Sequence, residues 1–412
     1  MSIYDNAGVA LIPSGTKASK LYSVLPANGD GDFTHSRGST ATRVNKDGLI
    51  ESVATNVPRL DYPLTNGVAG DCPHLLLEPS RTNLAERTEE FDNSYWAKTR
   101  AVITANQVVS PDGSQTADKY RLDCTSNRSQ ISRVIYTVGT QYTTSLFVKY
   151  DSVQYFYISN AGASAYRVVF DIENGTIIST GSSVDSSKIE NYGNGWYRCS
   201  ATFTAAYTTL YYNLSPNSNN ATFTNTTDFS YIWGAQIEAG SYPTSYISWD
   251  GSGSTTRSAD VCNGSGTSAE FNDSEGVLFI ECSLFTNSGE NNYFSIGDTT
   301  GTRDGVELHF RSESSRIRGI IYSNDSVTVN ISTYSFNKTN NNKIAFKYKD
   351  NDFAIWVNGT EAVTASSGAA PLKLSNLQFA DANNSNRWYG KCKQVLVFNE
   401  ALSDSELATL TS

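Results

Sequence analysis

Aromatic rings and polar side chains recur at every second position in several runs of the middle of the chain. Because successive side chains of a strand point to opposite faces, these residues should share the face away from the predicted core. Six candidates fall on that face: Tyr155, Tyr157, Arg167, Tyr211, Asn213 and Gln236. Rings stack on the C–H faces of sugars, and amide or guanidinium groups hydrogen-bond their hydroxyls, so the mixture suits a glycan groove. A face covered by solvent or by a neighbouring subunit would produce the same pattern.

Three further candidates lie in the last third of the chain. Trp356 is out of phase with the apolar residues of its own run, so it should stand on the face opposite their core. Trp388 and Tyr389 follow an Asn-rich loop at residues 383–386, which is another mixture of rings and amides that suits a sugar. The alternative is that the two tryptophans pack on each other or against the middle of the chain.

Groups that could catalyse a reaction are few. Glycoside hydrolysis needs two carboxyl groups that face each other at about 5–10 Å. The acidic pair Glu89–Glu90 lies in a polar turn and the pair Asp404 with Glu406 lies in a predicted helix, and neither forms a strand motif of that kind. The three histidines are far apart, at His35, His74 and His309. We therefore expect no catalytic residues and no enzyme activity. Glu78 should instead form an ion-paired corner that fixes the N-terminal segment.

The cysteines do not have the spacing of a metal site. None of the six belongs to a Cys-x-x-Cys motif, so we predict no metal ligands and no cofactor. Cys124, Cys199 and Cys282 lie in strand-like runs and should be small core residues. Calcium is the one metal that this leaves open, and no compact Asp/Asn cluster that would hold it can be placed in the sequence.

The charge of the chain argues against two classes of partner. The net charge is −10, without a Lys/Arg cluster, so we expect neither nucleic-acid binding nor attraction to a membrane surface. No apolar run reaches the roughly 20 residues of a membrane span, and the N-terminus lacks the pattern of a secretory signal. The product should therefore stay in the cytoplasm that makes it, unless another route releases it.

The elements that must position these residues are strands. Aromatic and β-branched residues fit pleated strands, and the abundant Asn, Gly and Ser fit turns, so we predict an all-β fold. An irregular N-terminal segment (1–85), which should dock on another molecule, precedes two antiparallel β-sandwiches (86–250 and 262–412), and a Gly/Ser linker (251–261) joins the sandwiches. Asn358–Gly359 predicts a hairpin turn, and Ser403 with Glu406 predicts a capped terminal helix. Strands are expected at Ser145–Tyr150, Gln154–Ile158, Arg167–Ile172, Trp196–Thr204, Thr209–Leu214 and Ser230–Glu238.

Three segments resemble known families. The runs EGVLFIECSLF, NNKIAFKYKDNDFAIWVNGTEA and KCKQVLVFNEALSDSELATL resemble a laminin-G-like domain of the concanavalin A-like lectin superfamily. The runs YTTSLFVKY, VVFDIENGTI, GWYRCSATFT and YIWGAQIEAGSYPTSYI resemble jelly-roll carbohydrate-binding modules. The runs DFTHSRGSTATRVNKDGLIESVATNVPRLDY and LLLEPSRTNL resemble a stretch of phage tail-fibre and head-fibre proteins.

Together these resemblances imply an appendage on a bacteriophage virion, made in the bacterial cytoplasm and released by lysis. Its expected partners are other virion proteins, further copies of itself in a homotrimer, and glycans of the host surface. Two alternatives remain: a purely structural decoration or adaptor of the virion, and a polysaccharide depolymerase. Buried aromatic faces between subunits would favour the first, and a cleft with paired carboxylates would favour the second.

Overall fold

The computed structural model describes residues 3–123, 129–160, 164–218, 228–287, 289–298, 303–313, 315–334 and 336–412. Strands dominate these residues, beside two short 3-10 helices, Ile3–Asn6 and Ser164–Tyr166, and one α-helix, α1 (Asp404–Thr411). The predicted all-β fold with two antiparallel sandwiches is confirmed. None of the helices in the described residues has the length and apolar character needed to cross a membrane.

The N-terminal segment is built into the rest of the chain rather than held apart from it. Its strands β1 and β10 both pair with the last strand of the chain, and β7 pairs with β10. Leu75 and Leu77 are fully buried there, which explains why an apolar run in this segment adds to a sheet of the same molecule. The strands of the segment are β1 (Ala7–Leu11), β2 (Thr16–Lys17), β3 (Lys20–Leu21), β4 (Phe33–Ser36), β5 (Ala41–Val44), β6 (Ile50–Val53), β7 (Arg59–Asp61), β8 (Leu64–Thr65), β9 (Val68–Ala69), β10 (His74–Leu77) and β11 (Arg81–Asn83).

The middle sandwich consists of β12 (Ala97–Thr99), β13 (Ala101–Val108), β14 (Ala117–Leu122), β15 (Ser129–Val134), β16 (Gln141–Tyr150), β17 (Tyr155–Asn160), β18 (Arg167–Asp171), β19 (Thr176–Thr180), β20 (Ser186–Asn191), β21 (Trp196–Thr204), β22 (Thr209–Ser215) and β23 (Phe229–Ala239). Sheet M1 has the order β12-β15-β22-β17-β18-β19, and sheet M2 has the order β13-β14-β23-β16-β21-β20. The residues that alternation assigned to the core are buried between the sheets: Leu146, Val148, Phe156, Ile158, Leu210, Tyr212 and Leu214.

The C-terminal sandwich follows two connecting strands, β24 (Thr255–Arg257) and β25 (Val261–Asn263). Its strands are β26 (Glu275–Ser283), β27 (Asn292–Gly297), β28 (Gly305–Phe310), β29 (Ile317–Ser323), β30 (Ser326–Ser332), β31 (Asn342–Lys349), β32 (Phe353–Val357), β33 (Thr360–Ala365), β34 (Asn376–Gln378) and β35 (Gly390–Phe398). Sheet C1 has the order β33-β32-β31-β26-β35-β10-β7, and β1 also pairs with β35. Sheet C2 has the order β30-β29-β28-β27-β34. The predicted hairpin is present, because Asn358 and Gly359 join β32 to β33 with positive φ angles of 49° and 79°.

Six buried residues, His35, Arg37, Arg59, Glu78, Arg257 and Asp260, form what we call the central charge cluster. Glu78 accepts from Arg59 at 2.6 Å and from Arg257 at 2.8 Å, as expected of an ion-paired corner. Asp260 pairs with Arg37 at 3.0 Å and also with Arg59. Arg257 and Asp260 belong to the segment that composition indicated as a linker. This segment is therefore anchored to the N-terminal strands instead of spanning freely between two sandwiches.

The terminal helix begins as its capping box predicts. The carboxylate of Glu406 accepts a hydrogen bond from the backbone N–H of Ser403 at 2.8 Å and one from the Ser403 hydroxyl at 2.6 Å. This pairing satisfies a donor that the first turn of a helix otherwise leaves open. The helix then buries Leu407 and Leu410 against the outer face of sheet C1.

Replacing Ser403 by alanine should lower the free energy of unfolding by about 1 kcal/mol, because the helix loses its capping side chain. Urea denaturation followed by circular dichroism would measure this loss. Ser405→Ala, in the same turn, is the matched control and should cost much less. Equal losses in the two variants would show that the capping box does not stabilise the helix.

Candidate functional site

The outer face of sheet M1 collects most of the residues predicted to bind sugars. Strands β17, β18 and β22 are neighbours in this sheet, and their apolar alternate residues face the core. The opposite residues are therefore brought side by side by the antiparallel register: Tyr157 stands opposite Asn213, Tyr155 opposite Ser215, and Ser159 opposite both Tyr211 and Arg167. Five of the predicted residues thus share one surface: Tyr155, Tyr157, Arg167, Tyr211 and Asn213.

These five residues differ in their access to solvent. Tyr155, Arg167 and Tyr211 are partly exposed, whereas Tyr157 and Asn213 are fully buried. The Tyr157 hydroxyl donates a hydrogen bond to the backbone carbonyl of Asn217, just beyond β22, so the chain folds back over part of the sheet. On the outer face, Tyr157 and Asn213 are therefore covered. The rings of Tyr155 and Tyr211 and the guanidinium group of Arg167 lie around them, where a ligand can reach them.

Two buried residues of this face carry polar side-chain atoms that have no hydrogen-bond partner in the part of the chain that the structure describes. The side-chain oxygen and nitrogen of Asn213 and the hydroxyl of Ser159 have no hydrogen-bond partner among the described residues. Both residues are fully buried, and an unpaired buried polar group costs about 1–3 kcal/mol. Buried polar groups are nearly always satisfied by protein, water or ligand. A ligand hydroxyl group that reaches below the exposed rings of this face would therefore satisfy Asn213 and Ser159.

A cavity opens at the Arg167 edge of the same face. Its volume is about 230 Å³, somewhat below the roughly 300–1,000 Å³ of pockets for drug-sized ligands, so it suits one sugar ring. Its lining is hydroxyl-rich and comprises Ser164, Arg167, Val169, Ser179, Thr180, Gly181 and Ser218. Arg167 has several donors for sugar hydroxyls or for a carboxylate.

Asp171, at the end of β18, lies at the opposite edge of this face. Burial would raise the pKa of its carboxyl, but hydrogen bonds from Asn174, from Gln154 and from the backbone of Glu173 hold that pKa below its ordinary value. Asp171 is thus occupied in closing its own turn. A carboxyl kept ionised in this way is a poor general acid, so it gives no support to glycoside hydrolysis at this face.

Gln236 does not lie with the other five candidates. It stands on β23 in sheet M2, is fully buried, and donates to Glu238 at 2.6 Å and to the carbonyl of Thr244 at 3.3 Å. Its side-chain oxygen accepts from the backbone N–H of Ile247 at 2.7 Å. Gln236 therefore holds the segment that returns after β23. Strand periodicity assigned its face correctly as the one away from the core, but periodicity does not decide which of two sheets a strand joins.

Trp356 also differs from its expected role. It lies on the face of β32 opposite Phe353 and Ile355, as its phase predicted. However, α1 covers this face, and Trp356 is 8% exposed in a cluster with Leu407 and Leu410. The ring packs neither on Trp388 nor on the middle sandwich. A sugar could stack on it only if the helix moved away, so we no longer assign Trp356 to glycan binding.

Trp388 and Tyr389 belong to the interior of the C-terminal sandwich. Trp388 is 1% exposed, and its ring centroid lies 5.4 Å from that of Phe379. Tyr389 is partly buried against the same core, and its backbone N–H donates to Asn292 at 2.7 Å. Burial of the indole removes Trp388 from the candidate sugar contacts, and the two residues are not near the outer face of sheet M1.

The thiols and acids offer no metal site in the described residues. No group of three or more His, Cys, Asp and Glu side chains in this part of the chain could hold a metal ion. Cys199 and Cys282 lie in the two sandwich cores, as expected, while Cys124 lies outside the described residues. Burial raises the pKa of the Cys199 thiol well above its ordinary value, so this thiol stays protonated.

Sequence analysis did not identify the buried arginines that contact distant segments of the chain. Arg37, Arg59 and Arg257 of the central charge cluster come from three different segments. Arg198, on the outer face of sheet M2, sits in an alternating run that looks like any strand with one solvent-exposed charge. A local pattern contains no signal for such burial, because it arises only when distant segments cover the strand.

Comparison with known proteins agrees with the fold of the C-terminal sandwich. A family model described as the concanavalin A-like lectin/glucanases superfamily, of the laminin G type, matches residues 283–408. Among curated protein sequences, none is significantly similar to this chain.

Solved structures with some similarity include a carbohydrate-binding module and a sialidase. The Ruminococcus gnavus IT-sialidase CBM40 bound to alpha2,3 sialyllactose is 13% identical, with a TM-score of 0.29, over 34% of this chain and 84% of that one. The Trypanosoma rangeli sialidase in complex with the inhibitor DANA is 11% identical, with a TM-score of 0.30, over 71% of this chain and 60% of that one. Residues 283–408 are therefore similar to the laminin G type of the concanavalin A-like lectin/glucanases superfamily.

Proposed function

We propose that this protein is a non-catalytic glycan-binding protein that contacts sugars with the outer face of sheet M1. One observation carries the proposal: the partly exposed Tyr155, Tyr211 and Arg167 surround buried groups of Asn213 and Ser159 that have no hydrogen-bond partner among the described residues. Rings supply the stacking surface for sugar C–H groups, and the unpaired amide and hydroxyl supply hydrogen bonds. The lectin-type fold of residues 283–408 is in keeping with this function.

We also propose that the protein is an appendage of a bacteriophage virion, either a tail fibre or a head fibre. The support is the resemblance of residues 32–62 and 75–84 to a stretch of phage fibre proteins, followed by the two sandwiches in the same order. In such an appendage several copies, expected as a homotrimer, would present the same face to a host surface. Weak binding at each site would then be strengthened by multivalency.

A glycan array tests the proposed face. Replacing Tyr155, Arg167 and Tyr211 together by alanine should weaken binding on the order of 100-fold, because each loss removes about 1 kcal/mol or more of stacking or hydrogen bonding. Tyr334→Ala is the matched control, because Tyr334 is an exposed tyrosine of the other sandwich, and its binding should equal that of the unchanged protein. The chain length of the bound glycan should not change during incubation, in keeping with binding without cleavage.

Three other results of this experiment would each contradict the proposal. Equal binding by the triple variant and the unchanged protein would exclude the outer face of sheet M1. Absence of any glycan binding by folded, oligomeric protein would favour a structural decoration or adaptor of the virion. Shortened glycan products would favour the depolymerase.

A further inference from the structure

A deep cleft lies between the two sandwiches and the N-terminal segment. Its volume is about 680 Å³, within the range of small-molecule sites, and it adjoins a second cavity of about 650 Å³. The two cavities meet at Lys188, Glu190, Tyr192 and Lys391, which line both. All of the lining residues belong to the described part of the chain. A short oligosaccharide could therefore run from one cavity into the other.

Arg198 is a buried charged residue in the wall of this cleft. It is 3% exposed, on the outer face of sheet M2, and it lines the larger cavity. Its guanidinium donates to the carbonyl of Thr244 at 2.8 Å and to the hydroxyl of Ser145 at 3.1 and 3.3 Å, and it contacts the hydroxyl of Tyr192. These partners are all uncharged, and no carboxylate of the described residues forms an ion pair with Arg198.

Burial opposes the charge of Arg198, but Tyr192 and the carboxylates of Glu190 and Glu238 raise the pKa of its guanidinium, although neither carboxylate forms an ion pair with it among the described residues. Glu190 stands opposite Arg198 on the adjacent strand, but its carboxylate is held by Lys188 at 2.6 Å. The other charged groups of the lining are also paired: Lys391 with Asp61, Arg43 with Glu51, and Glu78 with Arg59 and Arg257. A buried charge without a counterion is costly, since burial removes its hydration. A ligand carboxylate in the cleft would therefore give Arg198 the direct ion pair that no carboxylate of the described residues forms with it.

The rest of the lining suits a sugar ring. Tyr192 and Tyr242 line the larger cavity, and the Tyr242 ring stacks on Phe285 with centroids 5.1 Å apart. Serine and threonine hydroxyls line much of the remaining wall, including Ser186 and Ser200. Rings with hydroxyls are the side chains that hold carbohydrate, whereas a site for a simple inorganic anion would not need the aromatic walls or this volume.

We propose that this cleft is a second binding site, distinct from the outer face of sheet M1, and that it takes an acidic saccharide whose carboxylate pairs with Arg198. The carboxylate accepts the guanidinium donors that face the cavity, and the sugar ring lies against Tyr192. Lys188 and Lys391 flank the path into the second cavity, where a further residue of the saccharide can continue. The shared chemistry is a sugar carboxylate, which either a uronic acid or a sialic acid can supply.

Isothermal titration calorimetry on the full chain tests this site with paired probes. Trigalacturonate is compared with its neutral methyl ester, and 3′-sialyllactose is compared with lactose. We expect the acidic member of one pair to bind about 10- to 100-fold more tightly than its neutral partner, as one or two charge-assisted hydrogen bonds predict. Which pair shows the difference identifies the source of the carboxylate. Equal affinity within both pairs, or no binding of either acid, would overturn the proposal.

Variants locate the binding within the protein. Arg198→Met should remove the preference for the acid, while Arg198→Lys should keep part of it. Because Arg198 is buried and its loss could prevent folding, Ser186→Trp provides a second test: Ser186 is an exposed residue of the lining that pairs with Thr202 and not with Arg198, so an indole at this position should occupy the cleft and leave the arginine in place. Ser186→Trp should abolish binding of the acid, Arg198→Met should reduce its affinity to that of the neutral partner, and the triple variant of the outer face should bind the acid like the unchanged protein. Acid binding that survives Ser186→Trp, or is lost in the outer-face variant, would place the ligand elsewhere.

Discussion

Replacing Asp260 by alanine should lower the free energy of unfolding by about 3–5 kcal/mol, the usual cost of removing one partner from a buried ion pair. Asp260 is fully buried and pairs with Arg37 at 3.0 Å, with Arg59, and with the backbone N–H of Glu78 at 2.8 Å. Among the described residues, its removal leaves the Arg37 guanidinium without a counterion in the interior, and Arg59 and Arg257 then share the single carboxylate of Glu78. Chemical denaturation of the variant beside the unchanged protein measures the loss.

The control is Asp47→Ala, which removes an exposed carboxylate that pairs with Lys46 at 3.4 Å. Exposed pairs contribute about 0–1 kcal/mol, so this variant should unfold like the unchanged protein. Amide hydrogen exchange should also rise in the N-terminal strands of the Asp260 variant, since the central charge cluster anchors them. A loss no larger than that of the control would show that the cluster does not hold the three parts of the chain together.

The second large effect is a loss of stability in acid. Burial would raise the pKa of Glu78, but Arg257, Arg59 and hydrogen bonds from Ser245 lower it to about 2. The pKa of Asp260 is also lowered: burial opposes this, and Arg59, His35 and Arg37 cause it. Unfolded carboxyls titrate near about 4, so both groups stabilise the fold fully above that pH, and their contribution falls as pH drops toward 2.

Asp118 has the opposite effect on the free energy of unfolding, and it has this effect at higher pH. Burial raises its pKa to about 6, although hydrogen bonds from the backbone of Asn106 and Phe91 oppose the shift. Its ionised form is therefore unfavourable in the folded protein, and protonation between pH 7 and about 5 recovers that cost. The free energy of unfolding should consequently be highest near pH 5 and fall steeply below about pH 4.

Denaturation curves recorded from pH 8 to pH 2 check this profile. Glu78→Gln is the informative variant, because it takes up one proton fewer on unfolding in acid. Its free energy of unfolding should be lower at pH 7 but should decline less steeply below about pH 4. The same acid slope in the variant and the unchanged protein would show that Glu78 is not responsible.

Much of the two sandwiches could be predicted from the sequence, because side chains alternate along a strand with a period of two. This period assigned Leu146, Val148, Leu210 and Leu214 to the core, and the structure buries all four. The short-range signals at Asn358–Gly359 and at Ser403 with Glu406 were equally informative, since a turn or a cap depends only on adjacent residues. The same alternation placed Tyr155, Arg167 and Tyr211 on one face.

Alternation of side chains could not predict whether another segment of the chain covers a given strand face. Trp356 is out of phase with its core, as expected, yet a helix some 50 residues further along the chain buries it. Gln236 has the right phase but belongs to the other sheet. Tyr157 and Asn213 share the correct face but are fully buried, and the Tyr157 hydroxyl donates to the backbone carbonyl of Asn217, just beyond β22. Periodicity describes a strand by itself, whereas burial depends on every segment that comes to lie against it.

The sequence by itself determined the all-β class, most of the strands that were predicted, the terminal helix and the apolar faces, because each depends on residues that are near neighbours. Only the tertiary structure decided that the N-terminal strands complete sheet C1, and that Arg37 meets Asp260 across 223 positions of the chain. It also decided that Arg198 lies buried in a cleft instead of facing solvent. Contacts between such distant residues follow from how whole sheets pack, and no local pattern of residue types encodes them.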